Sequence, residues 1–124
     1  MNPQIINLLI GIFSLLGQLS NALPSLVKEV YIENLIECES QGNPTAVNWE
    51  DAKITGYQSK GILQFQPKTF LNEGKKYGLF PEDFTLRESN LMIENPELQK
   101  EIARHMIEDN KQSAWSCSKQ IATL

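Results

Sequence analysis

A single histidine and two cysteines in 124 residues leave little room for metal chemistry. A zinc site needs a cluster of Cys, His or carboxylate ligands, and His105 stands far from both Cys38 and Cys117 in the chain. No metal and no cofactor are expected. Basic residues are also in deficit, 11 Lys and Arg against 15 Asp and Glu, for a net charge of −4. Binders of polyanions carry a basic patch, so the charge offers no reason to expect nucleic acid as partner. Repeats, low-complexity tracts and linker-like stretches are missing, which leaves one domain. What remains is ordinary for a folded globular chain: 41% hydrophobic and 21% charged residues.

The most informative absence lies at the N-terminus. Met1 to Ala22 contains no Lys, Arg, Asp or Glu, and Ile5 to Gly17 is a mostly apolar run. Ser20 and Ala22 take the −3 and −1 positions of a small-x-small cleavage site, with Pro24 just beyond. The pattern predicts a secretory signal peptide over residues 1–22 and a mature domain over 23–124. The segment lacks a basic side chain, so an uncleaved anchor and a buried helix are the other readings, although it is short for a span of roughly 20 apolar residues. Export places the domain outside the cytoplasm, secreted, periplasmic or wall-associated. Membrane contact is then limited to this segment, and a monomer is expected. In an oxidising compartment an even cysteine count usually means disulfides. A Cys38–Cys117 bond would close most of the mature chain and contribute roughly 4 kcal/mol in the chain-entropy model. Two unrelated buried thiols are the alternative.

Helix signals dominate the rest. Pro24 opens a helix to about Ser40, stopped by Gly42 and Pro44. Asn43 to Tyr57 is rich in turn formers, and its β-prone pieces Ala46-Val47 and Lys53-Ile54-Thr55 suggest a small hairpin or loop. Pro67 opens a second helix through Lys76, ending at Gly78. A short helical segment follows over Leu86–Ile93. Pro96 begins the last helix, in which Leu98, Ile102 and Met106 recur at helical spacing down to about Asn110. The fold class is α+β, predominantly helical, with one small β element.

One acidic residue breaks the pattern. Ile32, Leu35 and Ile36 precede Glu39 by seven, four and three residues, so Glu39 extends the apolar stripe at the end of the first helix. Glu33 and Glu37 fall on the opposite, polar side. A carboxyl on an apolar face is costly when charged, and the C-terminal end of a helix disfavours negative charge further. Both effects favour a neutral Glu39, a proton donor suited to a glycosidic oxygen. The plain alternative is a side chain that bends back to solvent, and Lys28 on the same stripe limits the pattern to its last two turns.

The run Ile36-Glu37-Cys38-Glu39-Ser40-Gln41-Gly42-Asn43-Pro44-Thr45-Ala46-Val47-Asn48 resembles the Glu-Ser motif of the soluble lytic transglycosylases. Eleven residues on, Ser59-Lys60-Gly61-Ile62-Leu63-Gln64-Phe65-Gln66-Pro67-Lys68-Thr69-Phe70 resembles their second motif. Cys-Glu-Ser with the late Trp115-Ser116-Cys117 also resembles the resuscitation-promoting factors, whose Cys beside the catalytic Glu pairs with the late one. The resemblance spans about residues 27–117 and implies a lysozyme-like domain acting on peptidoglycan. It implies Glu39 as general acid/base, Ser40 bonded near the centre and Gln64 lining the cleft, with Ser59 and Thr69 at looser positions. Phe70 stands where the resuscitation-promoting factors carry Trp, which alters one sugar contact.

The implied reaction cuts between N-acetylmuramic acid and N-acetylglucosamine with one carboxyl group and ends in a 1,6-anhydro product. A hydrolase needs a second carboxylate, for which Glu50 and Asp51 are the available candidates, although solvated loop charges are the favoured reading of both. Among the aromatic residues, Tyr57 is the one expected at the cleft, whereas Trp115 is expected to pack beside the disulfide. Gly61 is expected at a close backbone approach or a positive φ. Two rival functions are a catalytically weak wall-binding or assembly component with the same fold, and a thiol peptidase using Cys38 with His105.

Overall fold

A computed structural model describes residues 24–121; the leader expected over 1–22 lies outside the described residues. The described part of the first helix, α1, covers residues 24–40. Its predicted stripe, Ile32, Leu35 and Ile36, is buried in the core together with Tyr31, while Glu33 and Glu37 are exposed. Val47–Asn48 (β1) pairs antiparallel with Ser59–Lys60 (β2), Val47 opposite Lys60 and Asn48 opposite Ser59. Between the strands lies α2, Glu50–Thr55. Pro67–Lys76 forms α3, Leu86–Asn90 forms α4 and Pro96–Glu108 forms α5. Two 3₁₀ turns, Gln112–Ala114 and Ser116–Gln120, close the domain.

Lys53-Ile54-Thr55 is helical, which corrects the strand expected there. The Asn48 side chain accepts the Glu50 N–H at 2.9 Å, Glu50 and Asp51 occupy the positive end of the helix, and Gly56 ends it at φ 82°. These local signals outweigh the β preference of Ile54 and Thr55, whose side chains are exposed and find no sheet partner. The second strand is displaced to Ser59–Lys60. The fourth helix is shorter than expected, ending at Asn90 before a run of turns. The fold is otherwise the predominantly helical α+β domain that the sequence predicts.

Phe70 of α3 and Ile102 and Met106 of α5 meet the α1 stripe in one core with Leu63, Phe65 and Trp115. Phe65 packs edge-on to Phe70 and Trp115, with ring centres 5.7 and 5.6 Å apart. A tight turn hangs from β2, where Lys60 and Phe65 exchange both backbone hydrogen bonds at 3.0 Å.

The fully buried Gln99 of α5 supports that turn. Its Oε1 accepts the Leu63 N–H at 2.8 Å, and its Nε2 donates to the carbonyls of Lys60 and Ile93 at 2.9 and 2.5 Å. Gly61 has φ 86°, and a Cβ there would come within 2.2 Å of Gln99 Nε2, so both sequence-based reasons for a glycine apply. Gln99→Leu strands two buried backbone groups, the Leu63 N–H and the Ile93 carbonyl, and removes one of the two bonds to the Lys60 carbonyl. It is expected to destabilise the domain by on the order of 3 kcal/mol, read as a lower urea midpoint at unchanged m value.

Candidate active site

The turn after β2, the end of α1, α2 and the last two 3₁₀ turns enclose a cleft of about 310 Å³. Glu39, Gln64, Asp51 and Ser59 line it, together with Thr69 from the first turn of α3. Its floor is apolar, made by Phe65, Met106 and Trp115. The sequence-predicted residues therefore converge from positions 39 to 69, with two exceptions described below.

Glu39 is half-buried where α1 meets the cleft. Burial pushes its carboxyl above the ordinary glutamate range, and the negative charge of Asp51 adds to the rise. A backbone N–H bond from Cys117 acts the other way; Cys117 N lies 3.4 Å from Glu39 Oε1. That donor is in place because Cys38 of α1 and Cys117 of the final 3₁₀ turn form a disulfide, with Cα atoms 6.1 Å apart. The sulfurs of the thiol-peptidase reading are thus in a bond. His105 stacks on Tyr77 at 4.8 Å and is not a lining residue of the cleft.

Gln64 adopts φ 50°, a left-handed conformation that costs a non-glycine residue about 1 kcal/mol or more. Its Nε2 donates to the carbonyls of Ala46 and Gly61 at 3.1 and 2.9 Å. The amide is therefore oriented by the hairpin, with Oε1 free of those bonds and available to a hydroxyl or amide donor.

Ser40 and Tyr57 sit differently from a direct role at the cleft. The Ser40 hydroxyl donates to the Ile62 carbonyl at 2.7 Å and accepts the Gly42 N–H at 3.2 Å, pinning the end of α1 to the turn that carries Gln64. Ser40 lines a shallower neighbouring pocket shared with Glu39 and Gln64. Tyr57 is not among the lining residues. Its ring lies 5.1 Å from the Lys68 ammonium and its carbonyl accepts from Gln66. Trp115 packs as expected, and its indole N–H donates to the Leu63 carbonyl at 2.9 Å.

Asn48, Thr55 and Gln66 line the cleft without having been expected there. The spacing of Asp51 and Thr55, four residues apart, places them on one face of α2, and Asn48 joins them from the end of β1. That signal is readable only once α2 is known to be helical.

A helical domain with a small hairpin, and an acid buried at one helix end above a cleft, defines the lysozyme-like class. Within it, residues 20–117 match the transglycosylase SLT domain, and the chain belongs to that family. Comparison with curated proteins and with solved structures gives no match. Family membership supports peptidoglycan cleavage of the lytic transglycosylase type.

Proposed function

We propose that this domain cleaves the bond between N-acetylmuramic acid and N-acetylglucosamine in peptidoglycan, with Glu39 as acid and then base. The observation that carries the reading is the Glu39 carboxyl, half-buried in the cleft, where burial makes it hold a proton more tightly than an ordinary glutamate. It gives its proton to the bridging oxygen as the bond to the anomeric carbon breaks, and the bond's electron pair leaves with that oxygen. The muramyl 6-hydroxyl then attacks the cationic carbon and returns a proton to Glu39. The product is a 1,6-anhydro sugar.

Gln64 Oε1 and Thr69 are placed to receive the sugar's hydroxyl and amide donors, and Phe65 and Trp115 form an apolar floor for a ring face. No cofactor enters the reaction. Export through residues 1–22 brings the enzyme to its substrate outside the cytoplasm, and the half-buried acid at an intact cleft favours cleavage over a passive wall-binding role. Purified sacculi treated with the protein are expected to release muropeptides lighter by one water than the hydrated disaccharides, read by mass spectrometry. Hydrated products alone would replace the anhydro route by water attack, and no released product would remove the enzymatic reading.

A further inference from the structure

Four polar side chains beside Glu39 form a chain with a defined direction. Gln66 Nε2 donates to the Tyr57 carbonyl at 3.1 Å, and a carbonyl only accepts, so this contact fixes which end of the amide is nitrogen. The same Nε2 donates to Ser59 Oγ at 2.8 Å. The Ser59 hydroxyl must then give its single proton to Asp51 Oδ2, 2.5 Å away. Thr55 Oγ1 completes the chain 2.9 Å from Gln66 Oε1.

Ser59 is buried, at 3% exposure, whereas Asp51 is half-exposed on a helix open to solvent. A surface aspartate in a first helical turn is already favoured by the helix dipole and needs no buried donor. Here a buried hydroxyl and an oriented amide are committed to holding one carboxylate at the wall of the cleft that Glu39 also lines. The two carboxyl groups arrive from different elements, α1 and α2, and the charge of one is felt at the other.

We propose that Asp51 is a second catalytic carboxylate, aimed by Ser59 and Gln66, whose negative charge stabilises the cationic sugar as the glycosidic bond breaks. This rests on the reading of Glu39 as proton donor. Positive charge shared between the anomeric carbon and the ring oxygen faces the Asp51 carboxylate. No bond to Asp51 forms, so the 6-hydroxyl still closes the anhydro ring and every proton is accounted for at Glu39. Ser59 and Gln66 are positioning residues.

The test is Asp51→Asn, which keeps an acceptor for Ser59 and removes the charge. Loss of a preorganised electrostatic partner is expected to lower kcat by about 100-fold, with KM changed by less than about 3-fold. The alkaline limb of the pH–rate profile should also move to lower pH, because Glu39 no longer has a negative neighbour. Ser59→Ala and Gln66→Leu should lower kcat by about 10-fold with KM little changed and the alkaline limb in place, because Asp51 keeps its charge. If Asp51→Asn fails to fold, those two variants carry the kcat and KM measurements, and an unchanged kcat in both overturns the proposal. Activity within about 3-fold of wild type, or a loss confined to KM with the pH limb unmoved, overturns the proposal. An active Asp51→Asn beside an inactive Glu39→Gln sinks the role of Asp51 alone. An active Glu39→Gln sinks the reading beneath it.

Discussion

Glu39→Gln is expected to lose glycan cleavage by roughly 1,000-fold or more while still binding glycan strands. The amide keeps the shape and can still accept the Cys117 N–H, but has no proton acidic enough to give the bridging oxygen. Release of soluble muropeptides from sacculi measures the loss, and co-sedimentation with sacculi measures the retained binding. A variant as active as wild type would remove Glu39 from the chemistry.

The same substitution has an opposite expected effect on stability. Burial and Asp51 raise the carboxyl's folded pKa, so the folded protein holds this proton more tightly than the unfolded chain. Its contribution to stability is fully present below the unfolded pKa and is lost as pH rises through the folded value. As pH rises past that value the wild-type domain takes on an unfavourable charge that Gln removes. Glu39→Gln should melt higher than wild type near neutrality, and the difference should vanish in acid. Thermal unfolding followed against pH checks both halves. Activity has the matching dependence, with an alkaline limb above the ordinary carboxyl range.

Removal of the disulfide by Cys38→Ser/Cys117→Ser is expected to be the largest single loss of stability. The bond joins residues 79 apart. Closing such a loop contributes about 4 kcal/mol in the chain-entropy model. That is a large share of the roughly 5–15 kcal/mol that holds an ordinary domain together. The melting temperature should fall by roughly 15 °C or more. Below that midpoint some activity should persist, because the sulfurs take no part in the chemistry. It should nonetheless be reduced, since Cys117 carries the N–H at Glu39 and Trp115 forms the cleft floor. A double variant with unchanged melting temperature would show that the closing turns are held by packing alone. A cleavage-dead but fully folded double variant would return Cys38 to consideration as a nucleophile.

Much of this was readable before any coordinates, where the controlling forces are local. Pro at the first turn and apolar residues at helical spacing set α3 and α5, and Gly42 the end of α1, to within about two residues. The same spacing placed Glu39 on the buried side of its helix, because a helix's geometry determines which side chains share a face. Reading failed over Lys53-Ile54-Thr55. There β-branched side chains and helix caps gave opposing local signals, and the absence of a pairing partner decided between them.

The amino-acid sequence by itself determined the helices, the acid at the end of α1 and the family to which the chain belongs. Only tertiary structure brought Asp51 beside that acid, left Tyr57 out of the cleft lining, and set Gln66 and Ser59 behind Asp51. The physical reason is range. Helix phase and capping act over a few neighbouring residues, whereas desolvation, charge proximity and the direction of a hydrogen-bond chain depend on which distant segments pack together.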